Sequence, residues 1–523
     1  MQYQGYLEVV LHVLDVKNKK FGGLIMTMLM TDILQNYAVQ QPEGIATLYD
    51  GKRLTYHEFF KCAETLAAYL QKQGYKKDDV IALYTLNSDL FLIAYIGVQL
   101  AGFVVMPINT KLAAPEVEFI FNHSEAKGLI YDERLSEILA DIPYSFSHAV
   151  GFKEMKKIIE NYTGQRRSVK LVSDDTAVVM YTSGTTGKPK GVMLTHQNIA
   201  STAEIWSSSM NMTKEDRMFI CTPLFHCAGL HVFAMPMFYQ GGTVIIEEAF
   251  SPANTLKQLA ATDATIFFGV PSMYTMILNT PGFKEHTFKH LRLLCYGAAP
   301  MPYELVKQVK EAFLNVKVQN LYGQTENSPA ATSLLDMDAL TKIGSVGKPL
   351  AQTEVRVVDS FGESVPAGEV GEISVRGPQV MKGYLRNAEE TARTIRDGWL
   401  LSGDLGRFDE DGYLYIVDRK KDMIIRGGEN IYPIEVEEVL YQLSEILEAA
   451  VVGLPHEVYG EVPKAFVVLK EGKALDEESI LAYCRKQLAK YKVPYEIEFL
   501  AELPRNASGK VLKHTLRPKV STH

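Results

Sequence analysis

The stretch Tyr181–Gly191, YTSGTTGKPKG, brings four aliphatic hydroxyls, three glycines and two lysines together in one short run. Gly184, Gly187 and Gly191 let the backbone turn tightly and come close to a ligand. Thr182, Ser183, Thr185 and Thr186 supply hydroxyl donors, and Lys188 and Lys190 supply positive charge. Backbone N–H groups, hydroxyls and ammonium groups in one loop suit a polyphosphate. The stretch is not the common P-loop, which needs four residues between a first glycine and Gly-Lys-Ser/Thr. Here only two residues separate Gly184 from Gly187, and Pro189 comes directly after the lysine. The residues leading in, Thr176–Thr182 (TAVVMYT), read as a buried strand running into the loop.

Outward from this loop, between Thr31 and about Asp418, amphipathic helices alternate with short apolar strands. YHEFFKCAETLAAYLQKQG is followed by DVIALYTL, and NTLKQLAATDATIFFGV is a helix leading into a strand. This alternation predicts a layered α/β architecture with largely parallel sheets. Between Gly344 and Asp418 glycines become frequent, and strands such as EVRVVD and GEISVRG are set apart by turns. That region is expected to be a small β-rich subdomain with the character of a distorted barrel. After Lys421 comes a compact α+β unit: strand MIIR, helix PIEVEEVLYQL, strands AAVVGL and AFVVL, helix EESILAYCRKQLAKY, strand EIEFL. The predicted division is an N-terminal domain over 31–418, a charged hinge at 419–421 and a C-terminal domain over 422–523. Residues 1–30 are read as a start-site extension, since Met26, Met28 and Met30 each offer a start.

A chain of 523 residues is long enough for two or more domains. At 47% hydrophobic and 22% charged it has an ordinary globular composition. A net charge of -8 gives no reason to expect a nucleic-acid surface. Its five cysteines are scattered with no CxxC pair, so neither a structural zinc site nor a disulfide framework is indicated, and a reducing cytoplasm fits best. Leu90–Ile108 is mostly apolar but contains Gln99, two glycines and Pro107. It divides into a helix (DLFLIAYIGVQLAG) and a buried strand (FVVMPIN) rather than a membrane span. Met1–Met28 lacks a clear small-residue cleavage site, which gives little support to a signal peptide.

Further motifs lie downstream in a fixed order. They are GAAP at Gly297–Pro300, YGQTE at Tyr322–Glu326, SGDL at Ser402–Leu405, VDRKKD around Arg419, RGGENIYP at Arg426–Pro433 and PRNASGK at Pro504–Lys510. Together with the glycine-rich loop, this ordered set resembles the acyl-adenylate-forming superfamily of acyl-CoA synthetases, firefly-type luciferases and the adenylation domains of peptide synthetases. Over its length the chain looks most like the bacterial fatty-acid–CoA ligases. The resemblance implies that Thr182, Ser183, Gly184, Thr185, Thr186, Gly187 and Lys190 hold the phosphates of ATP. It implies that Gly297, Ala298 and Ala299 wall the adenine pocket and that Tyr322, beside Gly323, stacks on the adenine. Thr325 would touch the α-phosphate and Glu326 would help hold Mg2+. Asp404 would grip the ribose, assisted by Arg419. Gly427 and Gly428 would line the tunnel for the pantetheine arm of CoA. Lys421 aligns with the hinge about which a small mobile C-terminal domain rotates, and Lys510 is the expected catalytic lysine.

The implied reaction has two halves. A carboxylate attacks the α-phosphorus of ATP to give an acyl-AMP and pyrophosphate; a thiol, normally that of CoA, then takes the acyl group and releases AMP. Both halves need charge stabilisation more than a protein nucleophile. On the acid side the chain reads PLFHCAGL at Pro223–Leu230. Amino-acid-activating relatives usually place an aspartate here to hold an ammonium. His226 stands in this region with Cys227 beside it, so an acid without an α-amino group is favoured. Pro329 and Ala330 come after the magnesium-side motif and, by family position, join His226 and Cys227 in the acyl pocket. A medium- or long-chain fatty acid is the first expectation, with an aryl or succinylbenzoyl-type acid as the alternative. The chain has no phosphopantetheine-serine motif of its own, so free CoA is the expected acceptor, with a separate carrier protein as the alternative. A homodimer and a peripheral contact with a membrane surface stay open.

Overall fold

A computed structural model describes residues 29–182, 189–419, 422–427, 429–505 and 511–517. Among these residues the strands form three sheets. In the largest, the strands Thr243–Ile246, Arg217–Ile220, Ile266–Gly269, Leu293–Gly297 and Lys317–Tyr322 lie side by side and parallel. The second sheet carries Val80–Tyr84, Val104–Pro107, Gly128–Tyr131 and Thr176–Thr182, again parallel. Strands of this kind are buried on both faces and so read as unbroken apolar runs, as Val80–Tyr84 does.

The helices between the sheets arise from local sequence. Tyr56–Leu70 begins at a reciprocal cap: the Thr55 hydroxyl accepts from the Glu58 N–H (3.2 Å), and the Glu58 carboxylate accepts from the Thr55 N–H (2.8 Å). Asp89–Leu100 is buried on every side, because it packs within a core that takes side chains from both sheets. The apolar stretch Leu90–Ile108 is thus a core helix followed by the strand Val104–Pro107. Among the described residues no helix is long and apolar enough to cross a membrane.

The glycine-rich region departs from the barrel expectation. Its strands Ser345–Pro349, Leu414–Arg419, Trp399–Phe408, Gly371–Arg376 and Glu354–Val358 continue the large parallel sheet as an open antiparallel run. The bridging strand Thr332–Leu334 joins the two halves, pairing with Lys317–Tyr322 on one side and Ser345–Pro349 on the other. At this junction Gly347 has φ +87°, and a side chain there would sit 1.9 Å from the Ser333 carbonyl oxygen. Gly347→Ala is therefore expected to cost about 2 kcal/mol or more, from backbone strain and from separating the two strands. Chemical denaturation measures this, and an unchanged midpoint would contradict it.

The third sheet is formed by Glu429–Ile431, Ile424–Arg426, Gly460–Leu469, Ile446–His456 and Glu496–Phe499. The helices Pro433–Tyr441 and Glu477–Gln487 pack on it around a separate apolar cluster that includes Ile424, Val436, Val451, Val467 and Ile480. The short strand Glu429–Ile431 was not expected, since RGGENIYP reads as a loop when its pairing partner is not known.

Candidate active site

A cleft of about 2640 Å3 runs along the C-terminal ends of the parallel strands and is closed on its far side by residues of the third sheet and its helices. Open α/β sheets bind ligands at this edge, where strands end and loops fan out. Thr182, Lys190, Gly297, Tyr322 and Asp404 all line it.

The strand Thr176–Thr182 leads into the glycine-rich loop as expected, but the chain leaves the loop as a second strand, Lys190–Thr195, where a P-loop would open a helix. Thr182 pairs antiparallel with Lys190, so the two strands that flank the loop in sequence are direct neighbours. Ser183, Gly184, Thr185, Thr186 and Gly187 lie outside the described residues, as do Lys421, Gly428, Lys510 and residues 1–28.

Two polar groups meet on the cleft floor. In the first, the Tyr322 hydroxyl donates to the Asp404 carboxylate at 2.8 Å, and Arg419 stands 3.6 Å from the other carboxylate oxygen. Asp404 and Arg419 are direct partners on neighbouring antiparallel strands, which explains how residues from separate motifs meet. In the second, Glu326 sits on a short helical turn, Thr325–Asn327, and its carboxylate accepts a hydrogen bond of 3.0 Å from the Tyr384 hydroxyl. Burial raises the Glu326 carboxyl above its ordinary range, against the opposing effects of the Tyr384 hydrogen bond and Lys190. The Lys190 ammonium lies over the Tyr384 ring, 5.1 Å from its centre, and pairs with Glu390.

The backbone at the floor is tightly constrained. A side chain at Gly297 would lie 2.4 Å from the Leu321 carbonyl oxygen, and one at Gly323 would lie 2.4 Å from the Pro329 carbonyl carbon. Ala298 holds φ +65°, unusual for a residue with a Cβ and the kind of strain found at functional sites. Ala299 is next to it on the cleft wall.

On the acid side, Cys227 places its thiol 3.3 Å from the Thr325 hydroxyl and 3.6 Å from Nδ1 of His226. Burial pushes the Cys227 thiol up to about 12, so it stays protonated and packs as a small apolar group instead of acting as a nucleophile. His226, Cys227 and Pro329 line the cleft. Ala330 is fully buried beside Pro329, with its carbonyl accepting from the Gln379 amide at 2.9 Å. Gly427 lies away from the cleft wall, at the turn joining Ile424–Arg426 to Glu429–Ile431, where its N–H donates to the Tyr459 carbonyl.

Sequence reasoning missed the strap Val380–Arg396, which supplies Tyr384 and Glu390. It pairs with the strand after the glycine-rich loop (Tyr384 opposite Val192), and its Met381 N–H donates to the Glu326 carbonyl. Neither residue carries a local signal, because both act on groups that lie far away in the chain. Among the described residues no three His, Cys, Asp or Glu side chains stand together to hold a metal. A single buried carboxylate, Glu326, suits a magnesium ion that arrives on phosphate oxygens and keeps several of its waters, and does not suit a resident metal centre.

The model of the AMP-binding enzyme family matches residues 34–385, and that of the AMP-binding enzyme C-terminal domain matches 435–510. The chain belongs to the AMP-binding enzyme family. It is an acid–thiol ligase of the AMP-forming acyl-CoA synthetase type. Its relatives include a feruloyl-CoA synthase of Amycolatopsis sp, 38% identical over 480 residues, which make up 92% of this chain and 96% of that protein. A long-chain-fatty-acid–CoA ligase of Bacillus subtilis (strain 168) is 36% identical over an alignment of 526 residues that covers 93% of this chain and 94% of that protein. The o-succinylbenzoate coenzyme A synthetase of Bacillus subtilis, solved in complex with ATP and magnesium ion, superposes with a TM-score of 0.83 at 32% identity, covering 92% of this chain and 98% of that one. The ligase fold and reaction type expected from the motifs are therefore those of this chain's family, whose members carry several different acids in their names.

Proposed function

We propose that this ligase adenylates a monocarboxylic acid with an uncharged apolar tail, a medium- or long-chain fatty acid in the first instance, and transfers the acyl group to CoA. The observation that carries the reading is the acid end of the cleft. Phe225, Val232, Phe233, Phe268 and Val270 line it, and none of them can pair with a second carboxylate or an ammonium. An aryl acid is the second reading, favoured by the buried Phe233 and Phe268 rings 4.7 Å apart, which offer a flat substituent an aromatic face.

In this reading the Tyr322–Asp404–Arg419 group receives the nucleoside, with Asp404 accepting from the ribose hydroxyls. Thr182, Lys190 and the glycine-rich loop take the phosphates, and Thr325 meets the α-phosphate. Glu326 holds magnesium, which neutralises phosphate charge when bound. A carboxylate oxygen of the acid forms a bond to the α-phosphorus as the bond to pyrophosphate breaks. Lys510 covers the charge that develops between them. In the second half the CoA sulfur bonds to the acyl carbon, the bond to AMP breaks, and the thiol proton is lost to solvent. Turning the C-terminal unit about Lys421 brings Gly427 and Gly428 to the cleft for this step, in keeping with the position of Gly427 away from it in the present arrangement.

The test is AMP and pyrophosphate release with ATP, magnesium and a series of straight-chain and aromatic acids, with and without CoA. CoA-dependent AMP release that peaks within the straight-chain series is the expected result. A peak among the aromatic acids selects the second reading. Pyrophosphate exchange without CoA-dependent turnover moves the acceptor to a carrier protein.

A further inference from the structure

The wall that carries Val232 and Phe233 is a π-helix, Ala228–Ala234, a rare form whose wider turn needs something to hold it. Two supports act at its start. A side chain at Gly229 would lie 2.7 Å from the Pro223 carbonyl oxygen, so the helix presses directly on that segment. Asn87 fixes the same segment, accepting from the Leu224 N–H at 2.7 Å and donating to the Thr222 carbonyl at 2.9 Å.

A third support is of another kind. His231 is fully buried and places Nε2 2.9 Å from the hydroxyl of Tyr95, itself fully buried on Asp89–Leu100. The other ring nitrogen, Nδ1, is buried with no hydrogen-bond partner among the described residues. Burial drives the imidazole down to about 3, so it stays neutral. Leaving a buried polar atom unpaired is destabilising, because it gives up its bonds to water and gains none in return. A leucine facing a phenylalanine would fill positions 231 and 95 with no polar atom to satisfy, so stability alone does not account for this pair.

His231 faces away from the cleft, while the next two residues, Val232 and Phe233, line it. Relaxation of the wide turn to an ordinary α-helix would shift the register by one residue, about 100° of rotation, and turn different side chains toward the acid. We propose that the Tyr95–His231 hydrogen bond is a specificity-determining strut that fixes the rotation of this π-helix and so sets how Val232 and Phe233 close the acyl end of the cleft. Tyr95 and His231 are positioning residues, since neither meets the substrate. The inference rests on the reading that the acid's tail meets this wall.

The test compares Tyr95→Phe, His231→Leu and Phe233→Ala with the parent enzyme. Each is assayed for kcat/KM over the acid series, for KM of ATP, and for thermal midpoint. Tyr95→Phe and His231→Leu are expected to change the ratio of kcat/KM between short and long acids by about tenfold. KM for ATP should stay within about twofold, and the double variant Tyr95→Phe/His231→Leu, assayed alongside, should melt no lower than the parent despite its altered profile, because neither partner is left unpaired. If both variants change the thermal midpoint while their acid profiles superimpose on the parent's, the strut is only structural and the inference is overturned. Phe233→Ala separates the two levels. A shift toward longer acids with Phe233→Ala but not with the other two overturns the strut and keeps the acyl wall, whereas no shift with any of the three overturns both.

Discussion

Lys510→Ala is expected to slow acid-dependent pyrophosphate release by about 100- to 1000-fold, the usual cost of removing one donor aimed at developing charge. Thioester formation from supplied acyl-AMP and CoA should stay within a few-fold of the parent rate. Lys510 lies outside the described residues, but the chain on both sides of it is fixed at the cleft. Arg505 and Val511 line the cleft and form an antiparallel bridge to each other, and the Leu512 N–H donates to the Pro504 carbonyl at 2.8 Å. Val511 and Leu516 pack against a cluster that contains Val452, Phe466 and Leu503, which ties this collar to the third sheet. On the proposed reading, Lys510, which lies between these positions in the chain, serves the half in which the carboxylate and α-phosphate meet. The two halves are separable by ATP–pyrophosphate exchange and by single-turnover transfer from the adenylate. Equal loss in both would remove Lys510 from this role and make it a residue of general folding or docking.

The sequence was most readable where one element carries its own signal. Helix Asp89–Leu100 and strand Val104–Pro107 could be separated because glycine and proline punctuate an otherwise apolar run. The motifs assigned to the nucleotide could be picked out because each is a short contiguous run in the sequence. Pairing at a distance could not be read. That the glycine-rich strands continue the parallel sheet depends on Thr332–Leu334, a strand of only three residues. Tyr384 and Glu390 meet Glu326 and Lys190 only because the strap folds back beside the strand Lys190–Thr195. Burial at neighbouring positions could not be read either: Pro329 lines the cleft, whereas Ala330 beside it is fully buried.

Glu326→Gln is expected to lower kcat/KM for magnesium-ATP by about 100-fold or more, because on the proposed reading the cation loses its protein carboxylate. The same change should make the nucleotide-free protein more stable at neutral pH. Burial is the largest influence on Glu326 and raises its carboxyl above the ordinary value of 4.5, so the folded chain holds this proton more tightly than the unfolded chain does. Where the folded state binds more protons, stability falls as pH rises. The contribution of Glu326 is therefore unfavourable once pH exceeds the raised value and disappears below the ordinary glutamate range. The glutamine variant should melt above the parent at neutral pH and converge with it in acid. The Tyr384 hydroxyl can still donate to the amide oxygen, so the local fold keeps its bond. The parent enzyme should also lose activity at a higher pH on the acid side than an exposed glutamate would dictate, since the cation needs the ionised form. Thermal melts across pH with and without magnesium-ATP decide the matter. Magnesium-ATP should raise the parent's midpoint much more than the variant's, and equal gains in both would show that Glu326 does not hold the cation.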